Sequence, residues 1–330
     1  MSTKAATGGS AAVDLIAAIV AVSDEVPRLL TIDAPPHDSS APPLAGPTLP
    51  RGPLEPERDV TLDRGLRRWV DEQTNVLPGY LEQLYTFGDR WRDPVEVAGG
   101  PRTLAVAYLA LVRQVFTDAS WVDWYAMLPW EDHRDGRPAM LDQWIEPTLD
   151  AWIQGAPDPA ARRDRGERVA MAFGRTRLGW DPERALTRYQ LLYAAGLVDE
   201  AYHDRAVGLG HADVEAARPA DAVTLGQPMG VDHRRIAATA LSRLRGKLRY
   251  RPVVFELLPE TFTLLDLQRV VEALAGQRLH KQNFRRLVDR NALVEGTGQF
   301  ARSTRGRPAE LFRFRHEVVL ERPSSGVGPR

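Results

Sequence analysis

The chain has 330 residues, 43% hydrophobic and 26% charged, which is enough to bury two cores and excludes a disordered or membrane-saturated composition. It has no cysteine, which rules out disulfides and thiolate metal sites and suits a reducing, cytoplasmic location. The net charge of -1 conceals an asymmetry: residues 231–330 carry 20 Lys+Arg against 10 Asp+Glu, and the preceding 230 carry 23 against 34. A basic block at one end of a near-neutral chain fits either a solvated charged face or a polyanion partner.

Residues 1–10 read as a disordered start. The run AAVDLIAAIVAV carries Asp14 and is shorter than the roughly 20 residues of a membrane span. No basic leader or cleavage site precedes it, so it reads as a buried strand, with PRLLTI as a second strand. A Pro- and Ser-rich loop follows (33–50), then a helix from Leu62 to Thr74 and two strands, GYLEQLYTFG and RTLAVAYLALV. Residues 120–205 are helical by period, including DPERALTRYQLLYAAGLVDEAYHDRA as one helix opened by Asp181 and Pro182. Residues 218–250 read as a linker and a basic amphipathic helix. Its stripe of Ile236, Ala240, Leu241 and Leu244 packs either across a dimer axis or against its own domain.

The basic end has the order of a DNA-reading module. Thr263 caps a helix with Asp266 at its third position, and Gly276 ends it. A short turn leads into HKQNFRRLVDRNAL, where Phe284, Leu287 and Val288 face inward. Lys281, Gln282, Asn283, Arg285, Arg286 and Arg290 are left outside as DNA contacts. Two strands around a basic tip follow, with Arg302, Arg305 and Arg307 as further DNA contacts. The tip RGRP is similar to the core of an AT-hook, whose arginines lie in a narrow minor groove. A helix, a turn, a second basic helix and a wing in this sequence are winged helix-turn-helix grammar.

The stretch LPRGPLEPERDVTLDRGLRRWVDEQTNV resembles the Nudix box, in which glutamates at i, i+3 and i+4 of a helix hold the cations that activate water against a diphosphate. Aligned from its right-hand end, Arg68 takes the arginine position, and the three carboxylate positions fall on Trp69, Glu72 and Gln73. Asn75 replaces the glycine that ends the helix, and Glu55 and Glu57 lie out of register. One carboxylate of three is a poor home for clustered cations, so neither a catalytic residue nor a metal site is expected.

With LEQLYTFGD, VAYLALV, KQNFRRLV and TRGRPAELFRF, the chain resembles Nudix-related transcriptional regulators of NAD metabolism. The resemblance implies an α+β protein: a Nudix-like α/β/α sandwich over 11–217 with a helical insertion near 130–180, then a winged helix-turn-helix over 251–318 and a disordered tail over 319–330. It implies a homodimeric repressor of NAD synthesis or salvage genes with no cofactor. Its partners would be double-stranded operator DNA and a small nucleotide effector, ADP-ribose or NAD. The alternative is an active Nudix hydrolase of such dinucleotides with an appended nucleic-acid-binding domain. Arg51, Arg68, Glu72, Tyr85 and Arg92 are the candidate effector contacts, with Arg51 on phosphate, and Arg68 is equally read as a structural ion-pair partner. Phe87 and Trp91 are further stacking candidates, with core packing the preferred role for Phe87, and His233 reads as structural.

Overall fold

A computed structural model describes residues 11–33, 46–89, 96, 99–113, 120–208, 218–219, 221–301, 308–317 and 326–328. Six strands, β1 (Ala11–Ser23), β2 (Val26–Thr31), β3 (Arg51–Pro53), β4 (Tyr80–Phe87), β5 (Arg102–Leu111) and β6 (Ser120–Asp123), form one mixed sheet. Their order is β4-β5-β1-β2-β6, with β3 also on β1; β1 and β5 run parallel, and the other pairs are antiparallel. The near-continuous apolar run of β1 follows from its central place, since both of its faces are covered. Leu15, Ala17, Ile19 and Ala21 point to one core, and Ile16, Ala18 and Val20 to the other.

Helix α1 (Leu62–Thr74) covers the first face with Leu66 and Val70. Thr61 caps it by accepting from the Arg64 N–H, and Asn75 ends it at φ 53°. That left-handed conformation is one asparagine tolerates, which is how the box ends without its glycine.

The region expected to be helical holds a short helix α2 (Trp124–Met127), α3 (Glu146–Gln154), α4 (Pro159–Ala172), α5 (Ala185–Ala195) and α6 (Asp199–Gly208). The single helix expected from residue 181 onward is broken in two. Gly196 turns left-handed at φ 77° and takes the chain off the axis of α5, and Leu197 and Val198 are buried beyond it.

Helix α7 (His233–Tyr250) packs on the second face of the sheet against β1, β4 and β5. It is therefore a layer of the sandwich, where the sequence suggests a linker helix. Ile236, Ala240, Leu241 and Leu244 are all buried within their own chain. Its basic composition misleads because Arg234 and Arg245 are themselves buried in ion pairs.

The winged helix follows, with α8 (Leu264–Ala275), α9 (Lys281–Asn291), β7 (Val294–Phe300) and β8 (Glu310–Phe314). The capping box of Thr263 and Asp266 forms as expected, and Gly276 closes α8 at φ 67°. Phe262 pairs with Phe312 across the wing, and Phe255 stacks on Phe314 at 4.2 Å. Part of the tail expected to be disordered is seated: Val327 is buried, and the Val327 and Gly328 N–H groups both donate to the Leu248 carbonyl at 2.7 Å. No described helix is long and apolar enough to cross a membrane.

Candidate functional site

On α9, Phe284 and Val288 are buried and fix the helix to the module, which turns Lys281, Gln282, Asn283, Arg285, Arg286 and Arg290 outward as exposed side chains. The face is almost wholly donor-bearing, suited to phosphate oxygens and to purine edges. Arg302, Arg305 and Arg307 lie outside the described residues, as do Trp91 and Arg92.

In the box, the positions without their carboxylates hold the strand before it. The Gln73 amide is reciprocal with the Arg51 backbone: Nε2 donates to the carbonyl at 2.7 Å, and Oε1 accepts from the N–H at 3.0 Å. Trp69 Nε1 donates to the Pro53 carbonyl at 2.9 Å, and its ring fills the space where Gly52 has no side chain. Arg68 donates twice to Asp59 (3.1 and 3.0 Å) and lies 3.3 Å from Glu55 and 3.6 Å from Glu72. Those bonds hold the Asp59 carboxyl below its ordinary range. Glu72 is also 3.3 Å from Arg58. Of the two readings of Arg68, the geometry is that of the ion pair. Among the described residues no group of three His, Asp or Glu is placed to hold a metal.

The sheet and the first turn of α7 enclose a small pocket of about 40 Å³ lined by Asp14, Arg51, Phe87, Asp89, His233 and Arg235, among others. Of the expected effector contacts among the described residues, Arg51 and the stacking candidate Phe87 reach it; Arg68 and Glu72 belong to the ion cluster on α1, and Tyr85 is 64% exposed beside Phe87 on β4. Arg51 pairs with Asp14 at 3.0 Å, and Arg235 pairs with Asp232 at 2.5 Å and with Asp89. The Arg235 guanidinium lies 4.8 Å from the Phe87 ring centroid. His233 is fully buried, and its Nδ1 accepts the Leu49 N–H at 2.8 Å. Burial, helped by the Arg51 charge, pushes its pKa well below 6.5, so the ring is neutral. Sequence reasoning missed Asp14, Asp89 and Arg235 as pocket residues, because β1, the end of β4 and the start of α7 meet only in space.

The two halves are joined through buried charge. Glu131 is held by Arg188 at 2.6 and 2.8 Å and by Arg245 at 2.5 Å. Burial alone would raise the Glu131 carboxyl, but the two guanidiniums outweigh it and hold it below the ordinary value. Arg245 also donates to the Leu274 carbonyl at 3.1 Å, and Tyr125 donates to the Ala273 carbonyl at 2.7 Å, so the end of α8 is tied to the sandwich. Gly276 has no room for a side chain there, because one would strike the Glu131 carbonyl and the Arg245 guanidinium.

A mixed-sheet sandwich with a box helix, joined to a winged helix, defines the class: a Nudix-type fold carrying a DNA-binding module. The family model for the NrtR DNA-binding winged helix domain matches residues 254–314. A curated relative, the ADPR responsive transcriptional repressor NtrR of Acinetobacter baylyi, is 37% identical over 86 residues, which are 26% of this chain and 34% of that protein. The match thus spans about a third of the relative's length. Among solved structures, Shewanella oneidensis NrtR complexed with a 27mer DNA aligns at TM-score 0.52 and 21% identity over 93% of this chain and 95% of that one. A MutT/nudix family protein from Enterococcus faecalis aligns at TM-score 0.53 and 14% identity over 95% and 90%. At these identities the likeness is one of fold, and it extends over both halves. The chain thus has a Nudix-type fold followed by a winged helix, and residues 254–314 match the NrtR winged-helix family.

Proposed function

We propose that this chain is a transcriptional repressor of NAD synthesis or salvage genes that binds operator DNA through α9 and the wing and responds to ADP-ribose, or to NAD, held by its Nudix-like half. One observation carries the reading: a donor-rich recognition helix is exposed in the same chain whose box spends its ligand positions on internal contacts. The name of the Acinetobacter baylyi relative supports ADP-ribose over NAD. With Trp69 and Gln73 engaged on β3 and Glu72 paired to arginines, the chain binds its nucleotide without hydrolysing it, and it works without a metal or other cofactor. It acts as a homodimer in the cytoplasm, because one winged helix reads only a short half-site and a twofold pair suits a near-palindromic operator.

The test is fluorescence anisotropy of duplex taken from the protein's own upstream DNA, titrated with protein and then with ADP-ribose or NAD. The expected result is operator binding over random duplex, shifted about tenfold or more by one of the nucleotides. Parallel assays with Mg²⁺ and Mn²⁺ are expected to give no useful turnover of ADP-ribose. Equal affinity for random duplex would overturn the reading of an operator-specific regulator, and robust turnover abolished by Glu72→Gln would overturn it in favour of the hydrolase.

A further inference from the structure

We infer that the Gly-Val-Gly segment of the C-terminal tail, residues 326–328, is a strap that holds the recognition helix α9 to the sandwich, seated on an acceptor that the end of α7 leaves open. The sequence creates that acceptor. In a continuing helix the Leu248 carbonyl would accept the N–H of residue 252, but residue 252 is a proline and has none. The tail supplies the missing donors, since the Val327 and Gly328 N–H groups both reach the Leu248 carbonyl at 2.7 Å. All three tail residues are buried, Val327 completely. A side chain at Gly326 would stand 2.3 Å from the Leu248 oxygen and 2.4 Å from the Arg249 carbonyl carbon, and one at Gly328 would stand 2.9 Å from the Leu248 carbonyl carbon. The seat therefore selects two glycines for close backbone approach, with one apolar anchor between them.

The other side of the strap grips α9. Asn291 is the last residue of that helix, and its Nδ2 donates to the Gly326 carbonyl at 3.0 Å. Val327 and Gly328 border a cleft together with Phe284, Leu287 and Arg290 along one flank of α9. Because α7 is a layer of the sandwich and α9 belongs to the winged helix, the strap crosses the boundary between the halves. It is a tie separate from the Glu131 cluster, which holds the end of α8. Lys281, Gln282 and Arg285 stay exposed beside it, so the strap positions the helix without covering its donor face. The tie itself goes beyond the regulator reading; only its effect on operator binding rests on that reading.

The experiment uses the full-length protein, amide hydrogen exchange, and anisotropy of the protein's own upstream duplex without nucleotide. Gly326→Ala unseats the tail from α7, and Asn291→Ala cuts only its tie to α9. In the wild type the Val327 and Gly328 amides are expected to exchange slowly, because both are buried and bonded. In Gly326→Ala they exchange as in a free peptide, and the last turn of α9 exchanges about tenfold faster than in the wild type. Asn291→Ala keeps the tail amides protected and loosens the same turn. Operator affinity falls about three- to tenfold in both variants, since the end of α9 is then ordered only on binding. Free-peptide exchange of the wild-type tail would mean that the seat is empty in solution, and the inference fails. If α9 protection and operator affinity stay at wild-type values in both variants, the tail only caps α7, and the strap is again wrong. If the wild-type protein binds operator no better than random duplex, the regulator reading fails, and the exchange rates alone decide the strap.

Discussion

Arg245→Met removes the guanidinium that ties the sandwich to the winged helix while keeping an unbranched apolar side chain in its place. The bonds it deletes run to the Glu131 carboxylate (2.5 Å), the Glu131 carbonyl (2.9 Å), the Leu274 and Pro182 carbonyls (3.1 Å each) and the Tyr125 hydroxyl (3.3 Å). Removing one partner of a buried ion pair costs roughly 3–5 kcal/mol. Arg188 still neutralises Glu131 through two bonds, so the loss belongs near the lower end, about 3 kcal/mol, against a total stability of about 5–15 kcal/mol. Glu131→Gln removes the charge that both buried guanidiniums pair with and is expected to cost more. Tyr125→Phe deletes the bond to the Ala273 carbonyl, a longer one to the Leu274 carbonyl (3.4 Å) and an acceptor for the Arg245 guanidinium (3.3 Å), and is expected to cost about 1–2 kcal/mol. Urea unfolding at pH 7 measures all three. Because the Glu131 carboxyl is held below its ordinary 4.5, its contribution is present above that pH and is lost as pH falls through the lower, folded value. The same variants loosen the grip on α8, so the effect of nucleotide on operator affinity is expected to shrink in the order of their costs. An Arg245→Met protein with the wild-type urea midpoint, and with the wild-type nucleotide response, would refute the assignment of this cluster as the joint between the halves.

Single substitutions of Lys281, Arg285 or Arg286 that remove a bidentate base contact are expected to cost about 1–3 kcal/mol and relax preference at one base pair, read by operator variants in anisotropy. The Arg305→Ala/Arg307→Ala double variant is expected to weaken operator and random duplex alike, with a salt slope reduced by about one for each phosphate no longer neutralised; an unchanged slope would reassign the wing. His233 has a folded pKa below the 6.5 of the unfolded chain, so its contribution to stability is complete above 6.5 and falls as pH drops toward the folded value. That slope, at most about 1.4 kcal/mol per pH unit, is expected to be missing in His233→Asn when the two proteins are compared by urea midpoint from pH 7.5 to 5.

Local signals are legible in the sequence wherever the chain itself dictates them. The helix Leu62–Thr74, the capping box at Thr263 and the outward face of α9 follow from period and capping chemistry, which need no tertiary knowledge. Burial of charge is what the sequence hides. Single charged residues are usually exposed, yet Arg234, Arg245 and Glu131 are each buried among partners far away in sequence. A helix that reads as basic, α7, is for that reason a core layer, with its stripe packed against its own domain. The pocket is hidden for the same reason: Asp14 and Arg235 are 221 positions apart and meet only after the sheet and α7 have packed. The break at Gly196 is readable in principle, since a glycine followed by two apolar residues is a common helix stop, but the surrounding helical period masks it.

The stitching of β3 to α1 also makes the box helix resistant to single substitutions. Trp69→Glu would bring back one carboxylate of the box, but it would also empty the space over Gly52 and leave the Pro53 carbonyl without its indole donor. Gln73→Glu would set a negative charge against the Arg51 carbonyl, where an amide now donates. Each reversion therefore damages the strand before it can contribute to catalysis, and neither gains anything until the other has occurred. Placing the missing carboxylates on this helix therefore takes two coordinated changes and a refitted loop, and no single substitution achieves it.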